Sequence, residues 1–157
     1  MANVKITELT AQTTTADATD VIPVVDVAAN ETKKITVANL ITAQARTFTA
    51  GQRGEITTLT DGANISVDLA ASNNFVVTLA GNRTLDNPTN IVAGQSGSIF
   101  IVQDGTGDRT LAYGSYYDFA GGTAPTLTTG TPSAVDRIDY IVRSATSIHC
   151  VFTANYS

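Results

Sequence analysis

One histidine, His149, stands directly before the chain's one cysteine, Cys150. Nucleophile–base chemistry using either an imidazole or a thiol would have to start from this pair. Around it, Ile148, Cys150 and Phe152 alternate with His149 and Val151, which predicts a strand. Adjacent strand residues point to opposite faces, so a Cys–His dyad is geometrically poor. The expectation is a surface imidazole and a core thiol. A zinc site wants three or four ligands at compatible spacing, which one adjacent pair does not supply.

The carboxylates offer other possibilities. Asp136 and Asp139 are three apart in a predicted strand and so face opposite sides. Asp104 and Asp108 flank a glycine-rich stretch, DGTGD. Oxygen-rich loops can hold hard cations, but the order of an EF-hand loop is missing and turn formation alone explains Asp and Gly there. The same stretch lacks the Lys and spacing of a phosphate-binding loop. A glycosidase-like carboxylate pair has no positive support. The expectation is therefore a non-enzymatic chain with no cofactor and no metal. The densest feature is YGSYYDFAGG, where Tyr113, Tyr116, Tyr117 and Phe119 lie among glycines. Such rings can stack on sugars or anchor a partner, making these four a possible receptor contact. The competing and favoured reading is burial, at one end of the sandwich or across an oligomer axis, because a chain with 6% aromatics needs its rings for burial.

The elements that must carry these residues are short strands. Hydrophobic residues make up 43% of the 157 positions and charged ones only 15%. That allows one sizeable core beneath a Thr-, Ser- and Asn-rich surface suited to close packing. A net charge of −5 without a basic stripe argues against nucleic acid. The absence of a long apolar run argues against membrane insertion. The opening MANVKITELT lacks a signal-peptide layout, so the N-x-S/T triplets read as polar turns, and a lone cysteine fits assembly in a reducing cytoplasm.

Val21–Val27 and Lys34–Val37 predict a hairpin with its turn at 28–33, and Pro23 marks an edge or bulge. Thr36 would cap a short helix bearing Val37, Leu40 and Ile41 on one face. Residues 1–41 form this N-terminal segment and 42–54 a linker, leaving 55–157 as the main domain. There the period is two: Ile65, Val67 and Leu69; Phe75, Val77 and Leu79; Ile138, Tyr140 and Val142. Gly97–Gln103 is apolar on both faces and predicts a central strand or one at a subunit interface. Asp104–Asp108 reads as a hairpin loop leading to Arg109–Tyr113, and Ser144–Ser147 as another turn. No internal repeat is evident. The predicted fold is all-β, an antiparallel sandwich or jelly-roll-like domain after a small hairpin and helix.

Two stretches carry a resemblance. KITELT with DVIPVVDVAANETKKITVANLI resembles the N-terminal segment of many bacteriophage tail-fibre and other virion proteins. ISVDLAASNNFVVTLAGNRTLDNP, GQSGSIFIVQDGTGDRTLAYG and GGTAPTLTTGTPSAVDRIDYIV resemble a β-domain that recurs in phage virion appendages. The resemblance implies a homotrimer on the particle surface, assembled in the bacterial cytoplasm and attached by its N-terminal part to capsid or tail proteins. Within that part, Ile6, Leu9, Val25, Ile35 and Leu40 are the expected apolar attachment contacts. Fibres of this kind continue through a long shaft, which this sequence lacks. That favours a short fibre, adaptor or capsid decoration protein, with a host-glycan-binding module as the alternative.

Overall fold

The computed structural model describes residues 21–26, 31–36 and 49–156. The chain divides into two compact units, Met1–Gly51 and Gln52–Ser157, a boundary inside the segment expected to be a linker. In the first unit, β1 (Val21–Asp26) pairs antiparallel with β2 (Glu31–Thr36), from Val21 opposite Thr36 to Asp26 opposite Glu31. The second strand begins three residues before the predicted Lys34, because the ladder extends to six pairs. Pro23 lies opposite Lys34, in a sheet that has two strands among the described residues. Val25 and Ile35 lie on these two strands. Ile6, Leu9, Leu40 and the helix expected after Thr36 lie outside the described residues.

The second unit is built from nine strands. They are β3 (Ile56–Thr58), β4 (Asn64–Ile65), β5 (Asn74–Leu79), β6 (Arg83–Leu85), β7 (Ser96–Gln103), β8 (Leu111–Tyr113), β9 (Tyr117–Phe119), β10 (Val135–Ser144) and β11 (Ser147–Thr153). A six-stranded sheet has the order β3-β5-β7-β10-β11-β9, and a three-stranded sheet the order β4-β6-β8. Neighbours within β3-β5-β7 and within β4-β6-β8 run parallel. From β3 to β8 the chain therefore alternates between sheets and lays each pass beside the last, a flattened coil of three turns. β10 then pairs antiparallel with β7, β11 antiparallel with β10, and β9 parallel with β11.

The β-rich expectation holds, but the pairing is mixed and parallel rather than the antiparallel pattern of a sandwich or jelly roll. Alternation reports which face a side chain takes. It does not report the direction of the neighbouring strand. For the same reason Asp104–Asp108 is a corner between the two sheets, not a hairpin loop: β7 and β8 do not pair. The turn before Ser147 does join a true hairpin, with a register shift between Val142 and Ser144.

Inward residues meet row by row. Phe75 lies beside Ile99, Val77 beside Ile101, and Ile99 beside Ile138. All are essentially inaccessible and join Ile65, Leu85 and Leu111 of the smaller sheet in one core. β7 occupies the centre of the large sheet, as its two apolar faces require. Gly97 opens this strand for a specific reason. The Asn73 carbonyl fills the space a Cβ would take, and that carbonyl accepts from Ser98 N–H at 3.1 Å and Tyr140 O–H at 2.9 Å. Only glycine leaves room for this junction.

Candidate functional site

Strand geometry separates the histidine from the cysteine. Cys150 is buried and burial pushes its thiol up to about 12, far from a reactive thiolate. His149 is exposed on the opposite face, beside Asp118 of β9 in the parallel register. Asp118 accepts from Ser147 Oγ at 2.5 Å, and Ser147 Oγ accepts from Arg143 Nε at 3.1 Å. Next to them a shallow depression of about 260 Å³ is lined by Asp118, Phe119, Ala120, His149 and Cys150.

The tyrosine cluster is divided by the fold. Tyr113 meets Phe119 edge-on with centroids 4.9 Å apart, and Tyr117 at 6.2 Å. Tyr117 is buried and donates to the Asp86 carbonyl at 3.2 Å. Burial raises the phenols of both Tyr113 and Tyr117. The Tyr113 hydroxyl is buried without a hydrogen-bond partner, which costs stability but lets its ring fill the end of the core. Tyr116 is outside this cluster, on the turn between β8 and β9. Its backbone N–H is held by Asn87 Oδ1 at 2.9 Å and its side chain is half-buried. The structure thus brings Tyr113, Tyr117 and Phe119 together as packing, and leaves Tyr116 and one side of Phe119 accessible.

The carboxylates serve the scaffold. Asp104 receives Arg109 through Nε and Nη2 at 3.0 and 2.8 Å, and the N–H groups of Thr106 and Gly107 at 3.0 Å. The Arg109 guanidinium holds its carboxyl below the usual range, with the two N–H groups adding to the effect. The adjacent Gly107 and Asp108 both take positive φ, and Asp108 accepts from Gly130 N–H. Asp136 and Asp139 do occupy opposite faces. Asp139 pairs with Arg137 at 2.8 Å on the outside, whereas Asp136 is fully buried.

Sequence reasoning missed the buried polar anchors. Asp136 accepts from Thr128 N–H at 2.7 Å, Thr128 Oγ1 at 2.6 Å and Asn155 N–H at 2.9 Å. Gln103 donates to the Arg109 and Thr128 carbonyls and accepts from Arg109 N–H. These two side chains fasten the irregular segment 123–134, whose Leu127 is buried, over the last turn of the coil. The only sequence signal was a polar residue at an inward position of each strand.

Lateral contacts between the first two turns also went unseen. Asp61–Arg83, Asn64–Asp86 and Asp68–Asn90 each join residues 22 apart. A usable hint existed in GNRTL (81–85) and GDRTL (107–111), which recur in successive turns. The copies stack two residues out of step, with Arg83 level with Leu111, a shift that preserves the pleat. Among the described residues no three metal-binding side chains converge, and no helix is long and apolar enough to cross a membrane. Comparison with known protein families, curated proteins and solved structures found no match for this chain.

Proposed function

We propose that this chain is a non-enzymatic structural protein of a bacteriophage particle surface: a short fibre, adaptor or capsid decoration protein assembled as a homotrimer. The sequence resemblance suggests the setting. The observation that carries the reading is how the polar side chains are used: Asp61, Asp104, Asp118 and Asp136 accept the hydrogen bonds that hold turns and strands together. A chain built this way works by presenting a fixed shape and burying apolar area, at about 25 cal/mol per Å² removed from water. Residues 1–41 are the proposed attachment segment, docking on capsid or tail proteins. Repetition over symmetric copies multiplies weak contacts into stable attachment. Deleting residues 1–41 is expected to leave a folded β-unit that no longer joins particles. Normal incorporation of the truncated protein would refute the attachment assignment.

A second reading, a glycan-binding module, is favoured by the depression beside Phe119. There a partly exposed ring adjoins a carboxylate and an imidazole, the apolar-plus-polar chemistry that sugars require. His149→Ala, with Tyr116→Ala, would then abolish host adsorption while particles stay intact. Unchanged adsorption removes this reading.

A further inference from the structure

Four of the five large apolar side chains exposed among the described residues fall on one surface. Ile56, Ile141 and Val151 lie on outward rows of the six-stranded sheet, and Tyr156 stacks over Arg137 of that face at 4.8 Å. The fifth, Val92, lies outside the strands. The row joining Ile56 to Val151 is polar, through Asn74, Ser98 and Asp139, and the rows beside it add the half-buried Val76, Phe100 and Val102. Grouping of this kind on an otherwise polar protein marks an interaction surface.

Charge on this face sums to zero: Arg137 lies against Asp139, and Arg143 is linked to Asp118 through the Ser147 hydroxyl. Asp139 takes Arg137 at 2.8 Å and Ser98 Oγ at 2.6 Å. A chain of net charge −5 can bring this face against its copies without burying a net charge there. No lysine follows Lys34 in the sequence, and the guanidinium of Arg137 is already fixed by Asp139 and Tyr156, so little side-chain entropy is lost on contact. At ~3.3 Å per residue and ~4.8 Å between strands, the six strands cover on the order of 600 Å². Turned toward a threefold axis, three such faces bring on the order of 1,800 Å² together, each face shared between its two neighbours.

We infer that the outer face of the six-stranded sheet is where copies of this chain join. The inference rests on the proposed homotrimer and names its surface. The depression at Asp118 and His149 lies at the rim of the same face.

The test is the molar mass of the full chain in solution, by light scattering on a sizing column. The wild type is expected at three times the 16.3 kDa monomer. Ile141→Asp with Val151→Asp should reduce that mass threefold with the β-sheet spectrum unchanged, while Val92→Asp keeps it. A monomeric wild type, or a double variant of wild-type mass, overturns the inference. Should the double variant fail to fold, hydrogen exchange on the wild type decides. Protection of β10 and β11 must rise with protein concentration, and concentration-independent exchange there sinks the proposal. Incorporation into particles is read separately. Wild-type protein that joins particles although this face proves inert defeats the interface alone, whereas absence from particles defeats the functional reading.

Discussion

The two ends of the coil are finished differently. At the first turn, β3 has β5 on one side and no strand on the other among the described residues, and β4 is two residues long. An open cavity of about 440 Å³ lies there, lined largely by threonine, aspartate and asparagine around Leu59 and Phe75. Its polar contacts to the second turn are at the surface, with Asp61 and Arg83 about a quarter and a fifth exposed. The last turn is sealed. β10 and β11 extend its sheet, segment 123–134 covers its end, and the polar groups holding that cover, Asp136 and Gln103, are buried. A hydrogen bond gains weight as water is excluded, and so does the penalty for leaving its partner unmade. The closed end should therefore govern global stability and the open end local fraying.

The largest expected effect comes from the sealed end. Asp136→Ala strands the N–H and hydroxyl of Thr128 and the N–H of Asn155, and should cost about 3 kcal/mol or more in denaturant unfolding. A loss under about 1 kcal/mol would mean that segment 123–134 is held by something else. Tyr140→Phe, at the junction of β10 with the Asn73 carbonyl, removes one hydrogen bond and keeps the ring. It should cost about 1 kcal/mol, measured as a lower denaturation midpoint at constant slope.

The smallest effect lies at the open end. Arg83 beside Asp61, together with the Ala80 N–H, holds the Asp61 carboxyl below its ordinary value of 3.8. A carboxyl with a depressed folded pKa stabilises the fold above its unfolded value, and that contribution fades as pH falls through the folded value. Asp61→Asn should therefore flatten the acid limb of the stability curve below about pH 4 and leave neutral stability nearly unchanged. Added salt should weaken the wild-type effect. A large loss at neutral pH would erase the contrast between the ends.

Much of the strand inventory was readable because a pleated chain writes its burial into alternate positions. Phe75, Val77 and Leu79, then Ile138, Tyr140 and Val142, turned inward as their spacing required. The opposed faces of His149 and Cys150 followed from the same period. The candidate contact site was only half legible. Clustered rings were evident, but Tyr113 and Tyr117 became packing because β8 and β9 present them to the core rather than to solvent.

What the sequence determined by itself was local: which segments extend, which face each side chain takes, and where glycine, proline and aspartate break the run. Tertiary structure decided which strands became neighbours and in which direction. That choice depends on contacts between residues some 20 to 30 positions apart, such as Asn64 with Asp86 and Asn87 with Ser115, which no short window contains. It also decided that Asp136 and Gln103 would be buried, since an inward polar residue is tolerated only where the folded chain brings donors and acceptors to meet it.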